Sequence, residues 1–193
     1  MSIPTYVTLN DLPPPVTTGT TIQTFQDVWG EWWVAKNGVN GGAWRKARDV
    51  IHAVYFRSAA LTFATANTVI ALDTRQWDTY GLFTGSPNYG FLMPVAGWYR
   101  LMAQLNGTST AASQYVQMYI QINSVGAPTT FNNQCCDNQT SPLTGGGIGC
   151  RTLGWFPAAG GETARLTGYM NSANAVQTGF VNTRLEVSYW GTG

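Results

Sequence analysis

Four stretches of the chain alternate between apolar and polar positions. In residues 98–106, Tyr99, Leu101, Ala103 and Leu105 fall on one side, with Arg100, Gln104 and Asn106 on the other. In residues 115–123, Val116, Met118, Ile120 and Ile122 oppose Gln117, Gln121 and Asn123. In residues 163–170, Ala164, Leu166, Gly168 and Met170 oppose Arg165, Thr167 and Tyr169. In residues 180–189, Val181, Leu185, Val187 and Tyr189 oppose Asn182, Arg184, Glu186 and Ser188. A strand points successive side chains to opposite faces, so each run predicts a strand with one packed face. Residues 51–57 are rich in β-formers, and residues 68–72 are a short apolar run. Turns rich in Gly and Asn separate these segments. Many short strands without alternating helices predict an all-β sandwich or jelly roll, not a parallel α/β fold.

The first 49 residues follow another pattern. Residues 1–23 are rich in Pro and Thr around Pro13-Pro14-Pro15, a run that favours extended polyproline geometry and predicts an arm. Phe25, Val28, Trp29, Trp32 and Trp33 then recur at helical spacing. With Thr24 as N-cap, Asp27 at N3 and Gly38 as a stop, they predict a short helix over residues 25–36. Trp29, Trp32 and Trp33 need burial, either closing the end of the sheet domain or docking onto another protein. A Gly/Asn-rich turn follows, from Gly38 to Trp44. The chain thus divides into an attachment or docking segment, 1–49, and a sheet domain, 50–193.

The outward register adds to this picture. Trp98, Tyr119, Tyr169, Phe180 and Trp190 fall opposite the inner positions. Aromatics on the outer faces of several strands form a candidate oligomer interface, which identical chains usually close by cyclic assembly. Hydrophobic residues make up 44% of the chain and charged ones only 10%, against roughly 25% charged in an ordinary domain. The neutral polar surface that results suits protein contacts or glycans. Net charge is +1, and the densest basic stretch, Arg45-Lys46-Ala47-Arg48, runs straight into Asp49. Nucleic acid recognition needs a basic footprint and is not expected. No run approaches about 18 apolar residues, so membrane insertion is not expected either. The opening Met1-Ser2-Ile3-Pro4 lacks a secretory leader pattern.

Candidate chemistry is sparse. His52 is the one histidine, which excludes multi-histidine metal sites and reads as a structural residue. Cys135, Cys136 and Cys150 cannot form a tetrahedral zinc set alone. Cys150 could pair with Cys135 or Cys136, or all three could be thiols. Gly145-Gly146-Gly147-Ile148-Gly149 lacks the following Lys-Ser/Thr of a phosphate loop and reads as a loop tip. Asp73 and Asp78, five apart near a turn, are weak candidates for calcium or for a glycosidase pair; otherwise Asp78 caps a turn beside Trp77. No cofactor and no enzymatic activity are expected. Residues 129–149 read as a long loop. There Phe131, Asn132, Asn133, Gln134, Asn138 and Gln139 set neutral amides beside an aromatic platform, a composition that can hold a sugar or simply cover the end of an oligomer.

One segment resembles a known family. Phe91, Pro94, Gly97 and Tyr99, within Tyr89-Gly90-Phe91-Leu92-Met93-Pro94-Val95-Ala96-Gly97-Trp98-Tyr99, resemble the Phe…Pro-x-x-Gly-x-Tyr signature of C1q/TNF-like jelly rolls. The stretch Asp73-Thr74…Trp77-Asp78-Thr79-Tyr80-Gly81-Leu82-Phe83 and the closing Arg184-Leu185-Glu186-Val187-Ser188-Tyr189-Trp190 resemble C1q-like proteins of tailed bacteriophages. Residues 42–50 resemble a linker in virion proteins of actinobacterial phages. The resemblance spans roughly residues 50–191. It implies a ten-stranded jelly roll, tight homotrimers and binding through surface loops. It further implies a virion location, with other virion proteins met through the N-terminal segment and host-surface glycan as a possible ligand. No collagen-like stalk is present. The leading expectation is therefore a structural fibre, spike or decoration module of a phage virion. The alternatives are a secreted or surface carbohydrate-binding, lectin-like module and, last, a glycan-degrading enzyme.

Overall fold

The computed structural model describes residue 12 and residues 19–62, 68–86, 89–108, 115–123, 133–140, 147–171, 175–176 and 181–192. In chain order the strands are β1 (Gln23–Gln26), β2 (Trp32–Ala35), β3 (Arg45–Lys46), β4 (His52–Phe56), β5 (Leu61–Thr62), β6 (Thr68–Val69), β7 (Thr74–Asp78) and β8 (Phe83–Thr84). They continue with β9 (Gly90–Met93), β10 (Gly97–Thr108), β11 (Tyr115–Asn123), β12 (Asn133–Thr140), β13 (Gly147–Ala158), β14 (Glu162–Met170), β15 (Ala175–Val176) and β16 (Arg184–Gly191). One helical turn, α1 (Ala47–Val50), precedes β4.

Among the described residues the strands form three sheets, paired antiparallel throughout. A small sheet has the order β1-β2-β3. A seven-stranded sheet runs β5-β15-β10-β16-β4-β7, with β13 paired along the whole of β10. A six-stranded sheet runs β12-β11-β14-β9-β8, with β6 on β14. The two large sheets pack face to face. Tyr99, Leu101, Ala103, Leu105, Leu185 and Val187 of one meet Phe91, Val116, Met118, Ile120, Ala164 and Leu166 of the other in a single buried core. Each large side chain so buried contributes about 1.5–3 kcal/mol.

The inner positions of 98–106, 115–123 and 163–170 are buried wherever their side chains are described, as the alternation predicts. Three expectations fail. The helix over 25–36 is a β-hairpin, with Gln23 opposite Ala35 and Gln26 opposite Trp32. Asp27 is the reason: it bonds the amides of Trp29 and Glu31, both at 2.9 Å, and folds the segment back into a turn. Val181 is exposed, because β16 begins only at Arg184. Outer-face Gln121, Arg165 and Thr167 are buried, so the six-stranded sheet is covered on both faces at its centre.

The hairpin belongs to the body of the molecule. Val34 and Ala47 are fully buried in the main core, and Trp32 packs against it. On the opposite side of β2, Ala35 and Trp33 join Leu12, Phe25 and Trp44 in a second small cluster. Pro13, Pro14 and Pro15 lie outside the described residues.

Candidate functional site

The turn into β10 is built by its own motif. Tyr99 folds its ring back so that its hydroxyl donates to the Val95 carbonyl at 2.9 Å. That hydroxyl also receives the Val95 amide at 3.3 Å. Burial pushes the Tyr99 hydroxyl far above the usual tyrosine range. Gly97 has φ +139, and a Cβ there would lie 2.5 Å from the Gly191 carbonyl oxygen and 2.8 Å from the Tyr189 ring. Only glycine fits. Tyr189 meets Tyr99 edge-to-face at 5.1 Å and donates its hydroxyl to the Ala96 carbonyl. The result points Tyr99 inward and Trp98 outward.

Trp98 opens an aromatic face on the outside of the seven-stranded sheet. Along β10 the outward residues are Trp98, Arg100 and Met102. In the ladder Arg100 lies opposite Trp155, and Met102 opposite Leu153. On the other edge Arg100 faces Ser188 and Met102 faces Glu186. Trp190, two residues beyond Ser188, is carried onto the same face by strand alternation, where its ring meets Trp155 edge-to-face at 4.8 Å; the bulge between Trp98 and Tyr99 sets Trp98 opposite Gly191. Trp98, Trp155, Leu153 and Trp190 are 40%, 46%, 53% and 68% exposed. Beside them Glu186 is a shared acceptor, 3.9 Å from Arg100 and 3.7 Å from His52. The part-exposed Arg100–Glu186 ion pair contributes little to stability.

β13 is the piece that alternation did not reveal. Cys150, Thr152, Phe156 and Ala158 are buried while Leu153 and Trp155 are exposed. Apolar residues on both faces hide a period of two. The signal available was the pair Leu153 and Trp155 itself, two apolar positions two apart beside a buried Phe156.

The other sequence candidates scatter. Tyr119 and Tyr169 lie on β11 and β14, on the six-stranded sheet, away from Trp98 and Trp190. Phe180 lies outside the described residues. Trp32 and Trp33 pack within the chain, whereas Trp29, in the hairpin turn, is 60% exposed. Phe131 and Asn132 lie outside the described residues. Asn133, Gln134, Asn138 and Gln139 belong to β12, so half of the expected loop is strand; Asn133 is opposite Gln121 and Asn138 opposite Gln117. Cys135 and Cys136 sit on β12 too, opposite Ile120 and Tyr119. Cys150 is buried on β13, its sulfur 3.4 Å from the Val116 carbonyl oxygen.

Asp73 and Asp78 are not a pair. They bracket β7, roughly 16 Å apart by strand rise. Asp73 takes the Ser58 amide at 2.7 Å, the Ala59 amide at 3.1 Å and Arg57 at 3.2 Å. Burial would raise its carboxyl, but hydrogen bonds from Ser58, Ala59 and Thr74 outweigh this and hold it below the usual range. Asp78 is buried and caps the turn after β7, accepting Leu82 N–H at 3.0 Å, Phe83 N–H at 3.1 Å and the Tyr55 hydroxyl at 3.2 Å. Both carboxylates are committed to holding loops.

No family model matches the sequence, and no curated protein matches it. Solved structures do match. The Eiger TNF structure from S. frugiperda superposes with a TM-score of 0.57 over 74% of this chain and 94% of that one, at 8% identity. The fold is that of the C1q/TNF-like jelly rolls. Murine APRIL matches at a TM-score of 0.52 and 15% identity, covering 72% of this chain and 99% of its own. The globular domain of zebrafish complement 1qA matches at 0.51 and 8%, covering 74% and 98%. At these identities the likeness is one of fold, and it bears out the architecture implied by Phe91, Pro94, Gly97 and Tyr99.

Proposed function

We propose that this C1q/TNF-like jelly roll is a non-catalytic recognition module that assembles as a homotrimer through the aromatic face of its seven-stranded sheet. One observation carries the reading: Trp98, Trp155, Leu153 and Trp190 lie exposed on a single face. Aromatic side chains of this kind bury about 150–250 Å² each when covered. Apolar patches on soluble monomers rarely exceed a few hundred Å² and mark interaction sites when they do. The C1q/TNF-like fold supports three copies as the form of closure. Asp73 and Asp78, the carboxylates that could have served hydrolysis, are both used in turns, which favours recognition over catalysis. An extracellular or surface setting fits this reading best. Placement on a phage virion rests on the sequence likeness of residues 73–83 and 184–190 alone; the structural matches are to TNF and C1q domains.

Exchanging Trp155 and Trp190 together for Ser tests the face. The double variant should keep its sheet structure and thermal unfolding but sediment as a monomer. Unchanged association would overturn the proposal.

A further inference from the structure

A second site lies at the end of the same sheet. A cleft of about 350 Å³ opens between the β2–β3 connection, α1 and the ends of β4 and β7, lined by Asn40, Asp49, Val50, His52, Trp77 and Thr79. A neighbouring cleft of about 410 Å³, between Arg48, Asp49, Tyr189 and Trp190, shares Asp49 with it. Small-ligand sites begin at about 300 Å³ and combine an apolar wall with a few convergent polar groups. Trp77 is that wall, with its indole 55% exposed on the outer face. Asp78 fixes its position in the chain, since the capped turn begins directly after it. The polar groups come from three other elements: the Asn40 amide, the Asp49 carboxylate and the His52 imidazole, with the Thr79 hydroxyl beside the indole.

The rim is rigid. Asn40, Gly41 and Gly42 have φ of 49°, 68° and 76°, three left-handed residues in succession. This turn is closed by the Gly42 amide on the Val39 carbonyl at 2.9 Å and the Ala43 amide on Asn40 at 3.3 Å. Asn and Gly are the residues that accept such backbone, and a cluster of it at a cleft holds a side chain in place for binding.

The chemistry selects a ligand. An exposed indole offers a flat apolar face for the C–H side of a sugar ring. The amide supplies both donors and acceptors, the carboxylate accepts from paired hydroxyls, and the threonine does either. The lining carries one carboxylate, Asp49. Of the cations nearby, Arg48 is drawn to Asp49 at 3.9 Å and to Glu31 at 3.7 Å, and Arg75 lines an adjoining cleft with Trp77 and Thr79. The lining itself carries no guanidinium for an anionic ligand. We infer that the Asn40–Asp49–Trp77 cleft binds a neutral saccharide, stacked on Trp77 and hydrogen-bonded by Asn40, Asp49 and Thr79. The inference stands apart from trimer assembly, because the lining shares no residue with the Trp98, Leu153, Trp155 and Trp190 face.

His52 supplies the readout, being the sole histidine in the chain. Its imidazole resonance, followed by NMR in the intact protein, is a single assigned signal on this lining, and the Trp77 and Asp49 variants separate the cleft from the Glu186 contact on its other side. A panel of methyl glycosides of glucose, galactose, mannose, N-acetylglucosamine and N-acetylgalactosamine is titrated in. At least one should shift the His52 signal saturably in the millimolar range, while sialic acid and sulfated disaccharides should not. Trp77→Ala and Asp49→Asn, both at exposed side chains, should each weaken that response at least tenfold with thermal unfolding and sedimentation unchanged. A panel without any His52 response overturns the site, as does a response that survives both substitutions. Sedimentation recorded on the same samples separates failure of this site from failure of assembly.

Discussion

Trp33 donates its indole N–H to Asp27 across the first hairpin, at 2.9 Å. The same carboxylate takes the amides of Trp29 and Glu31, so one side chain organises the turn that replaces the expected helix. Burial is the largest single influence on the Asp27 carboxyl and raises it. Hydrogen bonds from Trp33, Glu31 and Trp29, and the charge of Lys46, outweigh this and hold it below the usual carboxylate range. Asp27→Ala should cost about 1–2 kcal/mol, read as a lower midpoint in denaturant, because three donors lose an ionised acceptor on a solvent-exposed turn. A folded-state value depressed below the unfolded one gives stability present above about pH 4 and lost as pH falls through the depressed value. Asp27→Asn should flatten that acid limb; an unchanged acid limb would contradict the role given to this carboxylate.

Gly97→Ala should destabilise by at least about 2 kcal/mol, since the new Cβ meets the Gly191 carbonyl and the backbone must leave a region that alanine avoids. Tyr99→Phe should cost about 1–3 kcal/mol, because it strips the Val95 amide and carbonyl of their partner inside the core. Thermal unfolding of both variants checks the pair. A neutral Gly97→Ala would remove the physical basis of the Pro94–Tyr99 motif.

Much of the sandwich was legible because its central strands keep one apolar face. Leu101, Met118, Leu166 and Val187 all sit where the alternation put them. Two features were illegible for opposite reasons. Trp32 and Trp33 share a helix-like stripe with Phe25, yet as neighbours on β2 they point to opposite sides, and helix and hairpin differ here only through the Asp27 turn. On β13, Trp155 and Leu153 are apolar on the outward face while Cys150 and Phe156 are apolar on the inward one, so this strand of the proposed interface carries no period-two signature. The candidate interface was half legible: Trp98 and Trp190 share the face, whereas Tyr119 and Tyr169 belong to the other sheet, a separation that only strand order decides.

Asp78→Ala should cost about 3 kcal/mol, because the Leu82 and Phe83 amides and the Tyr55 hydroxyl all lose their acceptor. A chelator should leave the melting temperature of the unsubstituted protein where it was. A chelator-dependent drop would restore the calcium reading of Asp73 and Asp78.

Alkali should weaken the fold through buried phenols. Burial, then the charge of Asp78, pushes Tyr55 up to about 12. Burial, then Glu31, does the same for Tyr189, also to about 12. A folded-state value above the unfolded one gives stability that is complete below about pH 10 and lost as pH rises through about 12. Denaturant midpoints should fall across that window. Spectrophotometric titration should show Tyr55 and Tyr189 ionising later than free tyrosine, and a single titration near pH 10 for all nine tyrosines would contradict their placement.

The central claim is that the face of Trp98, Trp155 and Trp190 is covered by copies of this chain. Native mass spectrometry of the full chain at micromolar concentration tests it most directly. The account expects a species of three times the 20.9 kDa chain mass. A stable monomer at that concentration would contradict it.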